Sequence, residues 1–148
     1  MELTREEKIE LTRKEFKLNP KDLCLKNNKI YLCGKPIDKW HREMWEWLAE
    51  EGDENTHKRE FIYEHFDNLN VINLLERDCY CFRCLYVSLV EDENDENKAP
   101  CAYCPLCEHE ENIGCLGGLY HLYSECLTLP KSRRDIAYHI ANLEWEWK

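Results

Sequence analysis

The stretch 79–86 reads CYCFRCLY, and the stretch 101–107 reads CAYCPLC. They contain two C-x-x-C pairs, Cys81/Cys84 and Cys101/Cys104, with sixteen residues between them. A C-x-x-C pair brings two sulfurs onto one side of a tight turn, and two pairs at this separation match the general pattern of a four-cysteine zinc site. The spacing therefore predicts a fold organised around at least one structural zinc ion.

The ligand set can be chosen in more than one way. Cys104 and Cys107 form a second, overlapping pair, and the intervening Pro105 favours a turn there. Cys79 precedes the first pair and Cys115 follows the second. We keep Cys107, Cys79 and Cys115 as reserve ligands. A site of four thiolates has no open coordination position, so we expect it to support folding, and its loss to unfold the cysteine-rich half of the chain.

The eight cysteines clustered between Cys79 and Cys126 are interpreted as candidate metal ligands because the chain is predicted to be cytosolic. Its 148 residues begin MELTREEKIELTRKEF, without the basic start and apolar stretch of a secretory signal, and no apolar run approaches a membrane span. In a reducing compartment, clustered cysteines favour metal binding over disulfides. Length and composition, with 34% charged and 43% hydrophobic residues, indicate a single small globular domain without a membrane partner.

Before the cysteines, residues 1–36 predict a helix and a β-hairpin. Thr4 and Glu7 form a capping box for a helix from Arg5 to about Lys17. Two short apolar runs flank Asn27-Asn28, a hairpin turn, in which Cys24 and Cys33 are expected to face each other as reduced thiols.

Residues 37–78 predict a tryptophan-rich helical part. Asp38 is expected to cap a helix, and a further helix is predicted from His57 to Asn68. The first of these carries an apolar stripe at helical spacing, formed by Trp40, Met44, Trp47 and Leu48, with Trp45 at its edge.

Residues 79–128 are the predicted zinc-binding part, interrupted by an acidic loop at 91–98. A last helix is predicted over 131–148, capped by Ser132. The expected fold is therefore α+β and mainly helical, with about four helices, a small N-terminal hairpin and a zinc-knuckle region.

Charge restricts the partners. The net charge of −10 disfavours direct contact with a phosphate backbone. The basic runs His57–Arg59 and Lys131–Arg134 are short and read as solvated helix starts. The acidic loop is the candidate partner-binding surface, through five carboxylates: Glu91, Asp92, Glu93, Asp95 and Glu96.

No enzymatic constellation is predicted. The chain lacks the H-E-x-x-H motif of zinc hydrolases and a glycine-rich phosphate loop. A redox C-x-x-C belongs beside a βαβ pattern, which the sequence does not show. We therefore expect a protein that is not an enzyme.

Several motifs, taken in their order along the chain, resemble those of a known group of proteins. They are HREMWEWLAEE, KREFIYEHF, CFRCLY, CAYCPL, Cys115 followed by GLY, and AYHIANLEW. Together they resemble small cysteine-rich proteins encoded by bacteriophages and prophages of Firmicutes, mostly of unassigned function. The resemblance spans about Trp40 to the C-terminus, and it implies Cys101 and Cys104, rather than Cys107, as the second pair. Cys107 and the acidic insert depart from the family pattern.

The resemblance implies a location in the cytoplasm of a host bacterial cell. The first expected function is binding to a host protein, as an anti-CRISPR-like inhibitor whose acidic surface mimics nucleic acid and occupies a nucleic-acid-binding defence effector. The alternative is a zinc-knuckle accessory that binds nucleic acid in phage replication or transcription.

Overall fold

The computed structural model describes residues 3–90 and 119–147. Within them, three strands and seven helices follow one another along the chain. These are α1 (Arg5–Phe16), β1 (Leu23–Lys26), β2 (Lys29–Leu32), β3 (Lys35–Pro36), α2 (Ile37–Glu50), α3 (Lys58–His65), α4 (Leu69–Arg77), α5 (Phe82–Val90), α6 (Leu119–Glu125) and α7 (Pro130–Ala141). The α+β, mainly helical class is confirmed, and the prediction of about four helices was too low.

The N-terminal helix and hairpin form as predicted. The Thr4 hydroxyl accepts the Glu7 backbone N–H at 3.1 Å, and the Glu7 carboxylate accepts the Thr4 N–H at 3.2 Å. Asn27 and Asn28 both have positive φ, 53° and 63°, as a two-residue type I′ hairpin turn requires. β3 adds an unpredicted third antiparallel strand beside β2.

The two hairpin cysteines do not face each other. Cys24 lies opposite Tyr31, while Cys33 falls one residue beyond β2, where its N–H donates to the Asp22 carbonyl. The predicted pairing was therefore wrong by register, because the hairpin turn fixes which residues lie opposite each other. Both thiols are free.

α2 is the central element of the core. It packs against α3, α5, α7 and the strands β2 and β3. Trp40 donates from Nε1 to the Leu32 carbonyl at 2.7 Å, and its ring contacts Phe61, Phe66 and Phe82. This aromatic cluster joins the hairpin to α2, α3 and α5.

Two details of α2 differ from the prediction. The helix begins at Ile37, directly after Pro36, so Asp38 lies inside its first turn and does not cap it. Trp45 is more deeply buried than Trp47, because α6 supplies Tyr120 and Tyr123 as edge-on neighbours of the Trp45 ring.

The predicted helix from His57 to Asn68 is shorter in the structure, where it is α3. The leucine-rich stretch that follows it forms a separate helix, α4. α3 ends at His65, and the Asn68 side chain caps α4 by accepting the N–H groups of Asn70 and Val71. A polar residue that bonds the backbone locally favours a helix start over a helix interior, which explains the break.

The last helix is also shorter than the predicted 131–148. Pro130 occupies its first position, where the missing N–H costs nothing, so Ser132 is not the cap. α7 ends at Ala141, and the chain continues without regular structure to Trp145 and Trp147, whose rings pack against Tyr86 of α5.

Arg133 of the basic run 131–134 is a structural residue. Its guanidinium donates to the carbonyls of Leu127 at 2.7 Å and Gly52 at 3.1 Å, and the residue is buried. In residues 3–90 and 119–147, none of the helices has the length and apolar character that crossing a bilayer demands.

Candidate metal centre at the start of α5

A strained turn positions the first cysteine pair. After α4 ends, Cys79 and Tyr80 both adopt left-handed backbone conformations, with φ of 58° and 57°. Such a conformation costs L-residues roughly 1–2 kcal/mol each. The N–H of Tyr80 donates to the Leu75 carbonyl at 2.8 Å, and that of Cys79 donates to Glu76 at 3.1 Å. The turn reverses the chain and places Cys81 immediately before α5.

Asp78 fastens this turn to the helix that follows. Its carboxylate accepts the Ser88 hydroxyl at 2.8 Å and the Arg77 guanidinium at 2.9 Å. Asp78 is nearly buried, so both bonds lie where solvent competes little. Asp78 thereby links the last turn of α5 to the end of α4.

Cys81 is the more deeply placed thiol. It is 7% exposed, and its carbonyl accepts the Leu85 N–H, so the residue immediately precedes the first turn of α5. A hydrogen bond from the Cys84 side chain lowers the pKa of Cys81 to about 5, with further contributions from Lys58, Arg83 and the Cys84 backbone N–H that outweigh burial. At neutral pH the Cys81 sulfur is therefore a thiolate, the form that binds metals.

Cys84 lies one helical turn further on, on the same side of α5. Its Sγ accepts the Arg83 guanidinium at 3.4 Å, and the residue is half-buried. Arg83 itself is buried, so its charge acts at short range with little solvent screening. The two sulfurs form a pair with cationic surroundings, which favour the thiolate form.

This pair fits one half of a structural zinc site. Zinc of this type takes four donors in a tetrahedron. No group of three or more potential ligands occurs in residues 3–90 and 119–147, so a zinc ion bound at this pair would need further donors from outside these residues. The other predicted ligands, Cys101 and Cys104, and the reserves Cys107 and Cys115 lie outside the described residues.

The remaining cysteines of this region have different positions. Cys79 is exposed on the strained turn, two residues before Cys81. Cys126 is half-buried just after α6, where its N–H donates to the Leu122 carbonyl. The predicted partner-binding carboxylates, Glu91, Asp92, Glu93, Asp95 and Glu96, also lie outside the described residues.

A basic cavity adjoins the strained turn. It has a volume of about 300 Å³ and is lined by the run His57–Arg59, by Cys79 and by two tyrosines, Tyr80 and Tyr120. The Lys58 ammonium lies 4.4 Å from the centre of the Tyr120 ring. The run 57–59, predicted as a solvated helix start, thus contributes to a concave surface beside the cysteines.

The sequence did not reveal the groups that activate Cys81. Lys58 lies on α3, more than twenty residues away in the chain, and its proximity to the thiol depends on how α3 packs. A C-x-x-C immediately before an apolar helical run was the available signal, because a helix N-terminus favours a thiolate.

No protein-family model, curated protein or solved structure matches this chain.

Proposed function

We propose that the chain is a non-catalytic, zinc-stabilised binding protein. Cys81 and Cys84 supply two zinc ligands, and Cys101 and Cys104 supply the other two. The observation that carries this proposal is the pair of sulfurs at the start of α5, one of them with its pKa lowered to about 5 by a hydrogen bond and nearby cations. Four thiolates fill the coordination of zinc, so the metal has a structural role.

The location of the metal supports a role for the acidic segment. Residues 91–118 contain eight carboxylates against the single Lys98, a net charge of −7 out of −10 for the chain. A zinc ion shared between the α5 pair and Cys101/Cys104 would fasten this charge to the folded body. A surface that is already fixed before binding costs less entropy to bind, which favours affinity.

The partner proposed is a basic protein surface. Complementary charge accelerates association and selects partners, and a segment of this charge can occupy a channel that normally holds a phosphate backbone. With the resemblance to phage-encoded proteins, this supports a host-defence effector that binds nucleic acid, such as a CRISPR nuclease, as the target.

The test is a pull-down from host lysate with a charge-neutralised variant. Changing Glu91, Asp92, Glu93, Asp95 and Glu96 to the corresponding amides should abolish capture of a basic partner. The matched control removes equal charge at five exposed glutamates of the described body, namely Glu6, Glu10, Glu15, Glu54 and Glu64. Equal loss of capture in both variants would show that only the net charge of the protein matters. It would contradict a specific acidic binding surface.

A second function is favoured by the basic cavity. The cavity combines two cations, Lys58 and Arg59, with two aromatic rings, Tyr80 and Tyr120. Proteins that bind single-stranded nucleic acids use cations to contact the phosphates and aromatic rings to stack on the bases. A gel shift at low salt with an oligonucleotide decides this, using Lys58→Gln/Arg59→Gln. Salt-dependent binding that the double variant loses would support nucleic-acid binding, and no shift at micromolar protein would exclude it.

A further inference from the structure

The basic cavity beside the strained turn concentrates its cations at one place. Three consecutive residues, His57, Lys58 and Arg59, contribute to its lining, and its volume is about 300 Å³. A cavity of that size is at the lower end of small-molecule sites, whereas domains that bind single strands along a groove contact at least about four nucleotides. The size therefore favours an occupant of roughly one nucleotide. This inference rests on the second function proposed above, because it concerns the same cavity.

The Lys58 ammonium lies on the wall of this cavity. Its Nζ is 4.4 Å from the centre of the Tyr120 ring, whose face attracts a cation. Lys58 is half-buried, and among residues 3–90 and 119–147 no carboxylate forms an ion pair with it. An ammonium has three N–H donors, and the ring face occupies only one side of it. Lys58 therefore keeps donors for an anion in the cavity.

Arg59 supplies a second cation, which is only weakly engaged. Its guanidinium lies 3.6 Å from the Glu60 carboxylate, and the two side chains are 55% and 38% exposed. An exposed ion pair at that distance contributes little, so the guanidinium is free to turn to a stronger acceptor. The Glu60 carboxylate has another partner, because its Oε2 accepts the His57 backbone N–H at 2.9 Å. Lys58 and Arg59 thus offer two positive charges at one point of the cavity.

The cavity also has aromatic walls that are held in place. The Tyr80 side chain is hydrogen-bonded to that of Tyr63, and the two ring centroids lie 6.3 Å apart. Tyr120 packs edge-on against Trp45 at 6.1 Å. Tyr80 has a φ of 57°, a conformation that is costly for an L-residue and that is enriched at ligand sites. The strained turn thus places a fixed ring in the lining, where a planar group can stack.

We propose that this cavity binds a nucleoside phosphate monoester, with the phosphate on Lys58 and Arg59 and the base against the tyrosines of the lining. A terminal phosphate carries a charge of roughly −1.5 to −2 at neutral pH and three acceptor oxygens, whereas each internal diester of a strand carries a single charge. Two neighbouring cations at one point match the terminal group.

The charge of the whole chain favours the same ligand. The net charge of −10 repels an extended phosphate backbone more than a single phosphate group, because the repulsion grows with the charge of the ligand. The phosphate monoester has two possible sources, a free mononucleotide and the phosphorylated end of a single strand, and both present the same group to the cavity.

The experiment titrates the full-length protein, purified without chelator, with AMP by isothermal titration calorimetry. AMP should bind saturably. Ribose 5-phosphate lacks the base and adenosine lacks the phosphate, so each should bind about tenfold more weakly than AMP. Equal affinity of AMP and either fragment would overturn the proposal, as would the absence of saturable binding at millimolar AMP.

Arg59→Gln is the informative variant, because Lys58 also acts on Cys81 and its replacement would change the metal centre as well. Arg59→Gln should weaken AMP binding about tenfold through the loss of a charged hydrogen bond. Arg134→Gln removes the same charge at an exposed position of α7 and should leave the affinity unchanged. An equal loss in both variants would show an effect of net charge and would overturn the site.

A short oligodeoxyadenylate, with and without a 5′-phosphate, separates the two sources and separates this inference from the second function. If only the phosphorylated form displaces AMP, the ligand is a strand end. If AMP binds and neither form displaces it, the ligand is a free nucleotide, and nucleic-acid binding is rejected while the inference stands. If both forms bind equally and AMP does not bind, nucleic-acid binding stands and the inference is overturned.

Discussion

The core around α2 and the cysteine pair at the start of α5 differ in how many of their interaction partners lie among the described residues. In the core, Trp40 is enclosed by three phenylalanines and bonded to a strand carbonyl. At the cysteine pair, two sulfurs are positioned and that of Cys81 is a thiolate, yet residues 3–90 and 119–147 bring no third potential metal ligand to them.

The difference follows from the two kinds of interaction. Apolar burial has no direction, so any neighbouring helix can complete it, whereas zinc needs four donors in fixed geometry. α5 belongs to both regions, since its Phe82, Leu85 and Tyr86 are fully buried in the common core. The sequence led us to expect that loss of the metal unfolds the whole cysteine-rich half of the chain. Because these three side chains are buried in the common core, we now expect α5 to stay packed in the core when the metal is lost.

The largest expected effect comes from opening the core. Leu74 of α4 is fully buried, and Leu74→Ala should lower the free energy of unfolding by roughly 3–5 kcal/mol through lost burial and a residual cavity. Leu69→Ala, on the same helix at a residue 66% exposed, should change it by less than about 0.5 kcal/mol. Urea unfolding of both variants measures this, and equal losses would contradict the assigned core.

Acid should weaken the core through His41. Its pKa falls from 6.5 to about 4 in the fold, chiefly by burial, so the unfolded chain takes up the proton first. The free energy of unfolding is unaffected by this group above pH 6.5 and should fall by roughly 3 kcal/mol as the pH drops from about 6.5 to about 4.

The His41 effect is isolated by comparing slopes. His41→Phe should flatten the pH dependence of urea unfolding in this interval, whereas His139→Gln, at an exposed position of α7, should leave it unchanged. An unaltered slope in His41→Phe would show that carboxylates alone cause the acid sensitivity.

A smaller effect is expected where the core meets α6 and α7. Arg133→Met retains an apolar stem but leaves the carbonyls of Leu127 and Gly52 without their donor, at a cost of about 2 kcal/mol. Arg134→Met, at the exposed neighbouring position, is the matched control. Thermal unfolding compares them, and equal midpoints would contradict the structural role of Arg133.

The smallest effect on stability, and the most informative about the cysteine pair, is expected from Cys84→Ala. Without metal, it removes the main cause that lowers the pKa of Cys81, so ultraviolet thiolate absorbance should appear only at higher pH than in the wild type. Cys79→Ala, at the exposed cysteine of the turn, keeps both sulfurs of the pair and should retain the thiolate absorbance that the wild type shows below neutral pH. Equal thiolate absorbance below neutral pH in all three proteins would refute the thiolate assignment.

Local signals made the N-terminal part predictable. The Thr4–Glu7 capping box and the Asn27-Asn28 turn act within a few residues, and both formed as the sequence indicated. The end of α7 was missed because Leu143 and Trp147 continue the helical spacing, while the tertiary contact of Trp147 with Tyr86 holds that segment outside a helix.

For the candidate metal centre, the sequence predicted only which residue types could serve as ligands. C-x-x-C spacing selects Cys81 and Cys84, but the charge that activates Cys81 comes from Lys58 on α3 as well as from Arg83 beside it. Likewise, the hydrogen bond of His41 Nε2 depends on the carbonyl of Ile140, ninety-nine residues away in the chain. Contacts between distant segments set these properties, and no short sequence pattern encodes them.

We propose above that Cys81 and Cys84 hold a structural zinc together with Cys101 and Cys104. The direct test is metal content per chain in protein purified without chelator, across serine variants of Cys79, Cys81, Cys84, Cys101, Cys104 and Cys107. We expect one zinc in the wild type and in Cys79→Ser and Cys107→Ser, and its loss in the other four variants. Zinc-free wild-type protein, or zinc retained in Cys81→Ser, would contradict it.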